Sequence, residues 1–258
     1  MARQPASRYP APVSDSLRVH EIYLSLQGES TFAGLPCVFI RLTGCHLRCS
    51  YCDTAYAFTG GTRRHPDEVL AEVDRLAQPF PPSPTAVAHR LPLVELTGGE
   101  PLLQPAAIPL LTALCDLGYT TLVETGGAVD LSPLDPRVRR IMDLKCPSSG
   151  EAERNRWENL ALLRPTDEIK FVIGTHEDYA WTRDIIERHR LASICPLLVS
   201  WVHPLSREQQ DPSLRPVPAH HTPMDRRELV EALVVDALPV RFQSQLHKLI
   251  WPPDQRGV

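Results

Sequence analysis

The feature that most constrains this chain is Cys45-His46-Leu47-Arg48-Cys49-Ser50-Tyr51-Cys52, a Cys-x3-Cys-x2-Cys loop with no fourth cysteine beside it. Any fold adopted must hold three thiols in one short loop where they can share a ligand. A [4Fe-4S] cluster takes four ligands. Three thiolates would grip three of its irons and leave the fourth open to an exogenous ligand. The competing reading is structural zinc, which wants four tetrahedral ligands, usually as two pairs well separated in sequence. Cys37 and His46 are available to complete such a site, but neither stands at a finger or ribbon spacing. The spacing favours the cluster over zinc or redox thiols.

Bulk properties set the class of protein around that loop. The 258 residues are enough for one sizeable core, and α/β barrels of this length are often single domains. A formal net charge of −4 and a pI near 6.2 argue against a nucleic-acid surface, which needs a basic excess. No apolar run approaches the roughly 20 residues of a membrane span, and no signal peptide with a long apolar stretch is visible. Cys37, Cys115, Cys146 and Cys195 are scattered, so no disulfide framework is expected. The expectation is a cytoplasmic enzyme with neither a membrane nor a nucleic-acid partner.

Proline punctuates the chain. Residues 1–16 lack periodicity and read as a flexible tail, with one domain over 17–258. Pro79–Pro84 links a helix to a strand, and Pro204–Pro223 reads as a surface insertion or mobile loop. Between these breaks, strands are predicted at Val19–Leu26, Cys37–Leu42, Leu93–Leu96, Thr120–Glu124, Arg140–Leu144, Glu168–Ile173 and Leu197–Val199. Helices are predicted at Pro66–Ala77, Pro101–Leu117 with Gly118 as the stop, Glu151–Leu163, Glu177–His189 and Asp225–Asp236. This alternation implies an α/β fold with a mostly parallel sheet and outer helices, a partial (β/α) barrel.

The unusual segments cluster at one end of these strands. Leu42 leads into the cysteine loop, Leu96 into Thr97-Gly98-Gly99-Glu100-Pro101, and Glu124 into Thr125-Gly126-Gly127. Leu144 leads into Lys145-Cys146-Pro147-Ser148-Ser149-Gly150, and Val199 into Ser200-Trp201-Val202-His203. In β/α barrels the strand C-termini open on one face, where active sites are built. A single site assembled from distant segments is therefore expected. The glycines of Thr97–Pro101 would let backbone carbonyls approach an ammonium group. The same five residues also suit a plain strand-to-helix turn with Pro101 at the first helical position.

The cysteine loop together with the Gly-Gly-Glu-Pro segment resembles the radical S-adenosylmethionine (SAM) superfamily. There SAM binds the open iron, and one electron from the cluster releases a 5′-deoxyadenosyl radical. Within it, the chain is similar to the 7-carboxy-7-deazaguanine synthase family. That resemblance runs through Glu21–Glu29, Phe39–Cys45, Cys52–Tyr56, Glu124–Gly127, Asp143–Gly150 and Gln243–Lys248 with Trp251. Departures are the N-terminal tail, the 204–223 insertion, Gly127 where Ser or Asn is commoner, and a loose match over Ser200–His203.

The resemblance implies conversion of 6-carboxy-5,6,7,8-tetrahydropterin to 7-carboxy-7-deazaguanine with loss of ammonia, in queuosine-type 7-deazapurine biosynthesis. It implies cluster ligation by Cys45, Cys49 and Cys52, and Mg2+ at Thr54. Substrate contacts are implied at Leu26, Gln27, Gly28, Glu29, Arg41, Thr97 and the terminal Val258. SAM contacts are implied at Tyr51, Asp53, Gly99, Glu100, Glu124, Thr125, Lys145, Pro147, Ser148, Ser149, Ser200 and His203. A flavodoxin-type reductant and a homodimer complete the expectation. Read without the family, Gln27 and Glu29 suit a solvated turn, Arg41 a structural salt bridge, Asp53-Thr54 a turn or cap, and Val258 a frayed end. A glycyl-radical-enzyme activase and a non-catalytic zinc-binding module are the alternatives at the level of function.

Overall fold

The computed structural model describes residues 16–82 and 89–258. The tail expected over 1–16 lies almost wholly outside them, as does the end of the Pro79–Pro84 stretch. The described strands are β1 (Leu17–Leu26), β2 (Pro36–Leu42), β3 (Thr62–Arg64), β4 (Leu93–Gly98), β5 (Thr121–Thr125), β6 (Arg139–Asp143), β7 (Glu168–Ile173), β8 (Leu197–Trp201) and β9 (Arg241–Gln243). They form one nine-stranded sheet in the order β3-β1-β2-β4-β5-β6-β7-β8-β9. From β2 onward every neighbouring pair is parallel, while β1 runs antiparallel to both β2 and β3. Each of the seven expected strands is present. β3 and β9 escaped prediction because each is three residues long and carries no apolar alternation.

The helices α1 (Pro66–Ala77), α2 (Ala107–Asp116), α3 (His176–Arg188), α4 (Arg226–Val235) and α5 (Leu246–Ile250) complete the fold. α1 starts where a Pro at its first position and a capping box between His65 and Glu68 predict. It buries Val69, Leu70, Val73 and Ala77 against the sheet. α2 is shorter than expected. Residues Pro101–Leu103 form a separate 3-10 turn, and Pro105 follows it. The intervening Gln104 side chain is spent on the backbone, donating to Thr43 O at 3.0 Å and accepting from Arg18 N at 2.8 Å. Gly118, at φ +80°, then stops α2 as expected. The helix expected at Glu151–Leu163 is instead two 3-10 turns, Ala152–Arg154 and Trp157–Leu162. Buried Asn155 and Asn159 bond the backbone of Lys145, Gly127 and Val129, a competition that disfavours a continuous helix.

One large core lies between the outer face of the sheet and the helices. A smaller cluster of Phe32, Cys37, Phe39, Leu93, Leu122 and Ile141 fills the concave side near the strand N-termini. The 204–223 segment has no regular helix or strand, and it is pinned to the rest. Arg215 donates from its backbone N to Arg48 O at 2.8 Å, and its guanidinium meets Glu151 at 2.8 Å. Among the described residues no helix is long and apolar enough to cross a membrane.

Candidate active site

Along each strand side chains alternate between the helix-covered face and the concave face. On the concave face their character changes along the strand. Phe39 is followed by Arg41, Leu93 by Glu95 and Thr97, Leu122 by Glu124, and Ile141 by Asp143. The apolar members form the floor, and the polar ones line a cavity of about 430 Å³ at the strand C-termini. That volume falls in the usual range for small-molecule sites.

Cys45, Cys49 and Cys52 all line this cavity as free thiols. Their loop is held from several sides. Glu100 N donates to Gly44 O at 2.8 Å, and Gly99 N to Leu42 O at 3.2 Å. Ser50 donates from its N to Ser149 O at 3.0 Å and from Oγ to Ser148 O at 2.7 Å. Arg48 N donates to Glu151 at 2.8 Å. A Cβ on Gly99 would sit 2.8 Å from Cys45 Cβ and closer still to the Gly44 carbonyl. Space for the cysteine loop, rather than access of a ligand to carbonyls, is thus the immediate reason for this glycine.

The three thiols suit a cluster. Among the described residues no group of three or more His, Cys, Asp or Glu side chains is arranged to hold a single metal ion. A cluster asks for less convergence, because each thiolate meets a separate iron. Burial raises the Cys45 thiol, and pushes Cys49 to about 11 and Cys52 to about 12. Such thiols ionise when a bound cation supplies the missing charge. The buried Tyr51 hydroxyl, also in the cavity wall, has no hydrogen-bond partner among the described residues.

Opposite the loop lies a charged network inside the sheet. Lys170, 6% exposed, donates to Glu124 and, at 3.1 Å, to Glu29. Glu29 also accepts from Gln245 at 2.7 Å and Gln243 at 3.3 Å. Burial works against the Glu29 carboxylate, but Lys170 together with the Gln245 hydrogen bond and nearby His247 outweighs it and holds the group below the usual carboxylate range. Burial likewise opposes the Lys170 ammonium, and Glu124 and Glu29 reverse this, holding it well above its ordinary value. Glu95 accepts from the Gln27 amide; burial and the nearby Glu124 push it well up, favouring the protonated acid.

Most of the residues expected in a site meet here. Leu26, Gln27, Gly28, Glu29, Arg41 and Thr97 line the cavity, as does Val258. Tyr51, Asp53, Thr54, Gly99 and Glu100 join them from the cysteine side. Glu124, Thr125, Lys145, Ser200 and His203 line it from the later strands. Gln27 and Glu29 are not a solvated turn pair: Gln27 is 4% exposed and accepts from Glu29 N at 2.9 Å. Arg41 donates to Glu21 at 2.8 Å and to Tyr23 OH at 3.1 Å, so it is a buried ion pair as well as a wall residue. Glu100 ties two segments together, accepting from Thr125 Oγ1 at 2.9 Å and Gly126 N at 2.8 Å. Lys145 pairs with Asp143 at 2.6 Å.

Pro147, Ser148 and Ser149 depart from expectation, standing behind the cavity wall. Ser148 gives its N–H and hydroxyl to Asp178 at 2.7 and 2.5 Å, and the Ser149 hydroxyl donates to Cys146 O at 2.6 Å. Their carbonyls hold Ser50, so they support the cysteine loop.

Glu95 and Lys170 were not singled out from sequence, and Gln245 and Lys248 entered only as part of the Gln243–Lys248 motif, with no role assigned. A charged residue in an otherwise apolar parallel strand, as in Leu93-Val94-Glu95-Leu96 and Ile169-Lys170-Phe171, was the available signal. Lys248 meets Asp53 at 2.5 Å, Leu246 N donates to Gly28 O at 3.0 Å, and the C-terminal segment thereby straps the cavity.

Comparison with known proteins agrees with this geometry. The profile described as Radical SAM superfamily matches residues 39–194. The chain therefore belongs to the radical SAM superfamily. Among its relatives, a 7-carboxy-7-deazaguanine synthase of Koribacter versatilis (strain Ellin345) is 40% identical over 243 residues, covering 94% of this chain and all of the relative. Another, of Chlorobaculum tepidum, is 42% identical, covering 94% of this chain and 97% of its own. Within the superfamily the chain belongs to the 7-carboxy-7-deazaguanine synthase family. A crystal structure of QueE from Escherichia coli shares the fold, with a TM-score of 0.63, 19% identity, and coverage of 90% of this chain and 95% of that one.

Proposed function

We propose that the cavity binds SAM against a [4Fe-4S] cluster on Cys45, Cys49 and Cys52, and converts 6-carboxy-5,6,7,8-tetrahydropterin to 7-carboxy-7-deazaguanine with loss of ammonia. The observation that carries this reading is the cavity itself, where the three cysteines face a buried Glu29–Lys170–Glu124 network. When bound, the cluster and SAM would supply one-electron chemistry that removes a hydrogen atom from carbon. The protein's own groups bind and orient. Glu29 and Glu124 present fixed acceptors for the pterin's N–H and amine edge, with Lys170 keeping both carboxylates in place. Arg41 marks the end of the cavity suited to the substrate carboxylate. The C-terminal strap closes the mouth and excludes water.

Thr54 is the proposed protein ligand of Mg2+. Its hydroxyl hydrogen goes to Asp53 at 2.9 Å, which leaves oxygen lone pairs for a hard cation. Thr54→Ala should lose its response to added magnesium while retaining cluster content. Equal activity with and without magnesium in stripped wild-type protein would reject this role.

A flavodoxin-type reductant, a cytoplasmic setting and a homodimer belong to the same reading. Exposed Leu249 and Ile250 on α5, with Val234 and Val235 on α4, support self-association. Anaerobic incubation with SAM, dithionite and the pterin, with no protein partner added, tests the activity by mass detection of the deazaguanine. Cleavage of SAM only when a second protein is supplied would favour the activase reading instead.

A further inference from the structure

The cations of the cavity wall are Arg41, Lys145, Lys170, Lys248 and Arg256. Arg41 is paired with Glu21, Lys145 with Asp143, Lys170 with Glu29 and Glu124, and Lys248 with Asp53. Arg256 alone has no carboxylate partner among the described residues. Its guanidinium lies over the Tyr56 ring, 4.1 Å from the centroid, and the Arg41 guanidinium lies 6.0 Å from the centroid of the same ring. Tyr56 OH donates to Glu21 at 2.8 Å, the carboxylate that already neutralises Arg41. The end of the cavity suited to a carboxylate thus has an internally compensated Arg41 and an uncompensated Arg256. Glu208, Asp211 and Asp254 line the same cavity, so an incoming anion needs a cation free to offset them.

We propose that Arg256, held on the face of Tyr56, is a specificity-determining residue that recognises the carboxylate of the pterin substrate. The proposal rests on the pterin reading above and adds to it. A guanidinium stacked on an aromatic ring keeps its in-plane N–H groups free, the geometry needed to meet a carboxylate with two parallel bonds. Its position on the strap, whose Pro253 carbonyl lies 3.4 Å from Gln209 Nε2, sets this charge at the edge of the cavity. The ion pairs behind it have no net charge to offer an incoming anion.

The test is equilibrium binding, under anaerobic conditions, to the reconstituted protein with SAM present. The two probes are 6-carboxy-tetrahydropterin and a tetrahydropterin whose carboxylate is replaced by methyl. Arg256→Ala should weaken binding of the carboxylated pterin about fivefold, the scale of a partly exposed ion pair, and leave the methyl analogue unchanged. Raising the salt should weaken carboxylated-pterin binding more steeply in the wild type than in the variant. Arg227→Ala, which removes an exposed cation on α4, should change neither affinity. Equal affinity of wild type and Arg256→Ala for the carboxylated pterin would overturn the proposal, as would an equal loss for both probes. Wild-type protein that binds neither pterin would overturn the pterin reading, and this proposal with it.

Discussion

At the scale of single residues, Lys170 joins the two carboxylates of the buried network. It is buried between Glu29 and Glu124, and a carboxylate stripped of such a partner costs about 3–5 kcal/mol. Lys170→Met should therefore lower the unfolding free energy by that order at neutral pH. The pH dependence has a definite sign. Glu29 is held below its unfolded value, so its contribution is present above about pH 4 and is lost as the pH falls through the folded value. In the variant, the burial of Glu29 is no longer offset by Lys170, and protonation relieves it. The stability gap between wild type and Lys170→Met should narrow as the pH drops from 7 to 4, measured by denaturant unfolding. A gap that is constant or widens would contradict the pairing. Neither Lys170 nor Glu95 was singled out in the sequence, because one charged residue in an apolar strand has no neighbour-level pattern. Its partners come from remote segments, the turn after β1 and strand β5, and are met only in the folded protein.

At the scale of elements, the cysteine loop depends on its neighbour. Gly99 lies against Gly44 and Cys45 with no room for a side chain, and Glu100 fastens the following turn to Thr125 and Gly126. Gly99→Ala should displace the loop and sharply lower iron incorporation on anaerobic reconstitution, while far-UV circular dichroism remains close to wild type. Full iron content in that variant would show that the loop does not need the close approach. α1 and the central strands were legible because caps, prolines and apolar runs coincide there. The 3-10 turns at Ala152–Arg154 and Trp157–Leu162 were not, since Asn155 and Asn159 find backbone partners far away in the chain. The support role of Ser148 and Ser149 was hidden as well: the Ser148 hydroxyl goes to Asp178, remote in sequence, and the Ser149 hydroxyl turns back to Cys146 O instead of the cavity.

At the scale of the whole molecule, the sheet brings the C-terminus of every described strand but β1 to one face and places the cysteines, the Gly-Gly-Glu turn and the charged strand positions around one cavity. That gathering could be read in advance from where the unusual segments follow the strands. That the end of the chain reaches the cavity was expected only through the family resemblance, at Val258; how residues 243–248 close it was not legible, because Gln243, Gln245 and Lys248 act through contacts with Ser200, Glu29 and Asp53, remote in sequence. The central claim is that this one cavity joins cluster chemistry to the pterin. Its most direct measurement is anaerobic turnover of 6-carboxy-tetrahydropterin with SAM and dithionite, followed by mass detection, in wild type, Cys49→Ala and Cys115→Ala. Cys115 lies in α2, outside the cavity wall. Deazaguanine formed by wild type and Cys115→Ala, and absent with Cys49→Ala, is the predicted result. Product from a Cys49→Ala protein, or none from wild type with a full complement of iron, would contradict it.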